Sequence, residues 1–233
     1  MTVIQALREW IRKVGKPQLK SLAITSNKLK YLVNDPALAD LVIEVTLPKD
    51  SPLPIAVNGY IGTDFKSGTI QHQAASCYFN ICTSLAYIMP RSPKPITKWA
   101  ATNKLQVFPR AGEDLNAYYD RKALRFFYEK DPKSQNVIYA CESSDVVSHE
   151  LGHAILDILR PDLFNVNSTE ISAFHESFGD INAILTTMQF DEVLNRAVSE
   201  TGGNLMQSNI ISRLAEEMAK YVYETTGGRG GES

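Results

Sequence analysis

The chain has 233 residues, of which 44% are hydrophobic and 21% charged, with a formal net charge of -2. That length can bury a substantial core as one large domain or two lobes. The balance of charge describes no general nucleic-acid or membrane surface, so no nucleic-acid partner is expected. No uninterrupted apolar run approaches the roughly 20 residues that span a bilayer, so no integral membrane segment is expected. No secretory pattern opens the chain, which predicts a cytoplasmic protein, with leaderless secretion as the alternative. Three cysteines without framework spacing argue against a disulfide scaffold and are read as small core residues.

The charge is unevenly placed. The first thirty residues hold Arg8, Arg12, Lys13, Lys16, Lys20, Lys28 and Lys30 against one acid, Glu9, whereas residues 141–200 hold eleven acids against Arg160 and Arg196. In chain order, residues 2–14 place Val3, Leu7, Trp10, Ile11 and Val14 on one stripe, which predicts an amphipathic helix. It heads a basic, helical N-terminal segment over 1–35. Residues 36–140 predict a mixed α/β part. Its pieces are "LVIEVTL" and "IAVNGYIG" as strands, 69–89 as a long buried helix, and "KLQVFP", "ALRFFYE" and "QNVIYA" as further strands. From Cys141 to Glu224 the pattern is helical. One helix runs from about Asp145 to Arg160, capped by Ser143 or Ser144 and stopped by Pro161. Another runs from about Asn167 to Met188 with Glu170 as capping-box partner, and "DEVLNRAVSE" and "NIISRLAEEMAKYVYE" follow. Residues 225–233 read as a disordered tail. The class is α+β.

Within the first of these helices, "SDVVSHELGHAILD" (144–157) carries two histidines four apart with a glutamate after the first. Positions i and i+4 stack on one helix face, so His149 and His153 can aim at one point. Glu150 lies roughly 100° round the helix, close enough to reach a metal-bound water. Val147, Leu151, Ile155 and Ile158 form the apolar stripe that buries the helix. A catalytic zinc needs a third protein ligand, and "AFHESFGD" on the next helix offers Glu176 with Asp180 one turn on. Such a pair suits a ligand beside an acceptor for a ligand imidazole. The apolar flanks Ile171, Phe174, Phe178, Ile181 and Ile184 speak against a merely solvated acidic face.

These residues resemble a known family. "DVVSHELGHAILD" followed by "HESFGD" is similar to the thermolysin-like metallopeptidases, zincins whose third ligand is a glutamate. "LNAYYD" (115–120) resembles their Asn-Ala-aromatic-aromatic edge strand. The likeness runs from about residue 104 to 188. It implies a zincin-like fold, an edge strand over the site, one catalytic Zn2+, and a peptide or protein substrate cleaved as by a metalloendopeptidase. The resemblance makes His149, His153 and Glu176 the ligands and Glu150 the general base. It makes Asp180 the partner of a ligand histidine, gives Asp157 a lesser supporting part, and makes Asn116 and Ala117 substrate-binding. His175 stands where relatives usually carry Asn. The family also sets a histidine from a C-terminal helical lobe against the oxyanion, and no histidine follows His175 here. The expectation is therefore a longer natural chain or a reduced oxyanion hole. The competing readings are a non-catalytic zinc module, in which the metal braces the fold, and a fold with an empty site.

Overall fold

The computed structural model describes residues 28–33, 41–60, 65–114, 116–130 and 137–213. The helix expected at 2–14, most of the helix expected to follow Asn209, and the 225–233 tail lie outside the described residues. The architecture is α+β, with eight strands in three small sheets and four α-helices among the described residues.

The first sheet is a hairpin of β1 (Lys28–Leu32) and β2 (Val42–Thr46). Lys28–Leu32 belongs to the segment expected to be helical, and it is a strand. Leu29, Tyr31 and Val33 are buried while Lys28 and Lys30 are exposed, a period of two that suits a pleat and not a helix. The second sheet orders β3 (Ile55–Val57), β4 (Leu105–Phe108), β6 (Ala123–Phe126) and β5 (Ala117–Tyr119) side by side. The first three are parallel neighbours, and β5 returns antiparallel to β6, which leaves β5 on the sheet's edge. "ALRFFYE" is divided: β6 ends at Phe126, Phe127 lies between the strands, and β7 (Tyr128–Lys130) turns away to pair with β8 (Val137–Tyr139).

Helix α1 (Ile70–Ile88) is buried on all sides because it separates two cores. Cys77, Ile81 and Leu85 face the main core of Trp99, Leu105, Leu124, Phe126, Leu151 and Ile155, while Ala75, Phe79 and Cys82 face a second core with Leu29, Tyr31, Val193 and Ile210. All three cysteines are free and buried, as expected, and burial pushes the Cys82 thiol up to about 12. No described helix is long and apolar enough to cross a membrane.

Helix α2 (Ser144–Leu159) buries the predicted stripe, with Val147, Leu151 and Ile155 at 1% exposure or less. Ser143 occupies its N-cap without a side-chain cap bond; the hydroxyl instead donates to Asp145, whose carboxylate accepts from the Val146 N–H at 2.9 Å. Helix α3 (Thr169–Thr187) starts two residues later than expected. Ser168 is its cap, accepting from the Ile171 N–H at 3.2 Å, which leaves Glu170 out of capping-box register. α4 (Asp191–Thr201) follows and ends on Gly202 in the left-handed region.

Candidate metal centre

α2 and α3 cross where each carries a glycine. A Cβ on Gly152 would lie 2.8 Å from the Gly179 Cα, and a Cβ on Gly179 would lie 2.8 Å from the His149 ring. Real Cβ atoms do not tolerate such distances, so the two glycines set how closely the helices approach. Behind the crossing, Asn182 of α3 donates to the Ser148 carbonyl at 2.6 Å and accepts from Ser84 of α1 at 3.1 Å. Ser148 donates to Asn80 at 2.8 Å. These buried bonds fix the rotation of α2 about its axis, with His149 and His153 turned out of the core.

At the crossing, His149, His153 and Glu176 each bring a ligand-type atom to within 4.8 Å of the others. His149 Nε2 lies 3.3 Å from Glu176 Oε2, and His153 Nε2 lies 3.9 Å from Glu176 Oε1. His149 Nδ1 is 2.9 Å from Asp180 Oδ1. A carboxylate accepts, so Nδ1 donates in this contact, and Nε2 is the ring nitrogen that faces the cluster. Burial, then the neighbouring His149 and His175, lowers the His153 pKa to about 4, so this imidazole is neutral at pH 7.

Glu150 stands outside the cluster and is 7% exposed. Burial raises its pKa to about 7; His149 and the Tyr119 backbone N–H pull it down, and Glu176 pushes it up. Tyr119 belongs to β5, which lies against α2. The Phe127 N–H donates to the Asn116 carbonyl at 3.0 Å and the Asp120 N–H to the Ala123 carbonyl at 3.1 Å, both directed into the sheet. By the alternation of an antiparallel ladder, the backbone groups of Ala117 and Tyr119 therefore face the open edge. Asn116 is exposed, and its side chain accepts from the Ala117 N–H at 2.8 Å.

Glu176 and Asp180 are more open than their apolar flanks suggest, with side chains 66% and 55% exposed, and Phe174 and Ile181 are exposed beside them. α3 packs through Gly179, Asn182, Ala183, Thr186 and Thr187, small or polar residues whose burial the hydrophobic pattern could not signal. The polar partners of Asp157 are Tyr119 and Arg121 and not the three clustered residues. It is fully buried, accepts from Tyr119 Oη at 3.0 Å, and takes both Arg121 Nε (3.1 Å) and Nη2 (3.0 Å). His175 is not part of the cluster; its ring lies 5.8 Å from that of His153, and its Nε2 is buried with no hydrogen-bond partner among the described residues.

Sequence reasoning missed Arg121, Asn182 and the two crossing glycines. "HELGH" and "SFGD" did display the glycines inside helical patterns, where such residues mark close approach. A larger cavity of 570 Å³ lies on the face of α2 turned away from the histidines, against Ser144 and Val147. Among the polar groups that line it, Gln73 and Asn80 are engaged with Glu142, Arg110, Tyr31 and Ser144. The chain matches no known protein family, no curated protein and no solved structure.

Proposed function

We propose that this chain is a zinc metalloendopeptidase of thermolysin-like type, acting on a peptide or protein substrate. The observation that carries the reading is the convergence of His149, His153 and Glu176 from two helices beside Glu150, a buried carboxyl outside the cluster. The donor set suits zinc: two imidazoles and a carboxylate leave a fourth position open. Ligand atoms at about 2.0 Å from a tetrahedral ion stand about 3.3 Å apart; His149 Nε2 and Glu176 Oε2 have that separation, and His153 Nε2, 3.9 Å from Glu176 Oε1, stands wider. Those two atoms both present lone pairs, an approach that calls for a cation or a proton between them.

Zinc in this position would polarise the scissile carbonyl and acidify a coordinated water. Glu150 accepts the proton of the attacking water and returns it to the leaving amine, a task suited to a group titrating near the working pH. Asp180 keeps the His149 tautomer that exposes Nε2. The substrate backbone adds to the open edge of β5, with Ala117 as a main-chain partner and Asn116 beside it. A zinc that merely braced the fold would leave Glu150 buried at an electrostatic cost with no task.

The test is zinc content together with chelator-sensitive cleavage of casein or a peptide. About one zinc per chain, lost in the H149A/H153A double variant together with the cleavage, is the expected result. Full zinc content in that double variant overturns the ligand assignment. Zinc binding with no cleavage in any natural length of the chain overturns the peptidase reading.

A further inference from the structure

The 570 Å³ cavity on the far side of α2 lies between β1, α1 and the first turn of α2, with Val42 of β2 at its edge. Several of its polar groups are spent on one another. Besides Gln73 and Asn80, His72 Nε2 donates to the Lys30 carbonyl at 2.8 Å, and the Ser144 hydroxyl donates to the Val33 carbonyl at 2.6 Å. Tyr31 Oη accepts from Asn80 at 2.8 Å. Leu32, Val42, Cys141 and Val147 supply apolar surface, and Val42 is left 52% exposed. Pockets of roughly 300–1,000 Å³ enclose whole ligands, so this one has room for more than one bulky side chain. Such walls suit an apolar occupant.

The chain carries a matching one close by. Residues 2–14 bear the stripe Val3, Leu7, Trp10, Ile11 and Val14, with Arg8 and Arg12 on the opposite side. Residues 15–27 join this stripe to Lys28, where β1 begins, and β1 is itself a wall of the cavity. A connection of that length reaches up to roughly 45 Å, and it keeps the stripe at high effective concentration beside the cavity. We propose that residues 2–14 dock their apolar stripe into this cavity, Trp10 foremost, and brace α2 from the side opposite its histidines. The mode is that of a helix in a groove. The proposal does not depend on the metallopeptidase reading.

The test uses the full chain and needs neither metal nor turnover. Trp10 and Trp99 are the two tryptophans, and Trp99 is 2% exposed with its Nε1 donating to the Pro54 carbonyl at 2.7 Å. The difference in fluorescence between wild type and W10F therefore isolates Trp10. In a sample that sediments as a monomer, Trp10 should emit as a buried indole and resist quenching by acrylamide. S76F fills the cavity from α1, and V42K sets a cation at its edge against the basic segment. Each should expose Trp10 to acrylamide while Trp99 stays shielded. Val42 is exposed, so V42K decides if S76F fails to fold. W10A should lower Tm by about 5 °C, as loss of a buried aromatic does in a chain of this size. Trp10 open to quencher in the wild type, or shielded to the same degree in V42K, overturns the proposal, and an unchanged Tm in W10A overturns the bracing. Shielding found only in dimers assigns the cavity to a second copy of the chain and overturns docking within one molecule.

Discussion

Glu150 is the residue on which chemistry and stability make opposite demands. Its folded pKa of about 7 stands above the ordinary carboxylate value of 4.5, so the charged form is disfavoured by folding. A group raised in this way contributes full stability below pH 4.5 and loses it as pH rises through about 7. The loss amounts to about 3 kcal/mol. His153 is displaced the other way: its share of stability is present above pH 6.5 and lost as pH falls through about 4. Between pH 4.5 and 6.5 the two slopes oppose each other, so the stability of the metal-free wild type should be nearly flat there. E150Q removes one slope and leaves the other. Without metal, E150Q should equal the wild type near pH 4 and exceed it by about 2–3 kcal/mol at pH 8 in urea unfolding. With zinc, E150Q should retain the ion and lose hydrolysis by at least about 100-fold, because it removes a base and no ligand. In the wild type, kcat/KM should fall as pH drops through the Glu150 titration, and the nearby cation places that limb below pH 7. Zinc lost from E150Q but kept in E176Q would reverse the two roles.

At the scale of elements, the centre depends on two helices approaching at Gly152 and Gly179. Alanine at 179 would favour the helix intrinsically by up to about 1 kcal/mol. Its Cβ, however, meets the His149 ring at 2.8 Å on the side of Nδ1, the nitrogen that faces Asp180. G179A should therefore keep or raise helicity while zinc affinity falls by about 10- to 100-fold, the cost typical of disturbing a ligand's supporting partner. Competition with a zinc chelator measures this, and unchanged affinity would show that the glycine contact does not set the imidazole's position. Arg121 illustrates the same scale from the strand side. Its φ of 72° is left-handed. Such a conformation costs a side-chain-bearing residue roughly 1–2 kcal/mol, and the two-pronged pair with a buried carboxylate offsets that cost.

For the whole molecule, the metal should stabilise a fold that stands without it. The described residues contain two buried apolar clusters on either side of α1, and neither consists of metal ligands. Chelation should leave the far-ultraviolet dichroism intact while lowering Tm. At a zinc concentration a thousandfold above Kd the linkage is worth about 4 kcal/mol, or roughly 10 °C for a chain of this size. Loss of helical signal on chelation at room temperature would instead make the metal part of the folding unit. Scanning calorimetry and dichroism on the same samples separate the two outcomes.

The sequence by itself determined what depends on near neighbours along the chain. The i, i+4 spacing of His149 and His153 follows from helix pitch, as do the stripe of Val147, Leu151 and Ile155 and the offset of Glu150. The alternation of Leu29, Tyr31 and Val33 with Lys28 and Lys30 is equally local, although the expectation for 1–35 extended the helical reading of 2–14 over it. Tertiary structure alone decided whatever joins distant segments. It brought Glu176 to the histidines across the Gly152–Gly179 crossing, placed β5 at the sheet's edge, and directed Asp157 to Arg121 and not to a ligand. It also left Phe174 and Ile181 exposed on a helix whose apolar flanks suggested burial. The physical reason is that periodicity records which face of an element is apolar, whereas burial, close approach and the pKa of Glu150 depend on what packs against that face. No local pattern carries that information.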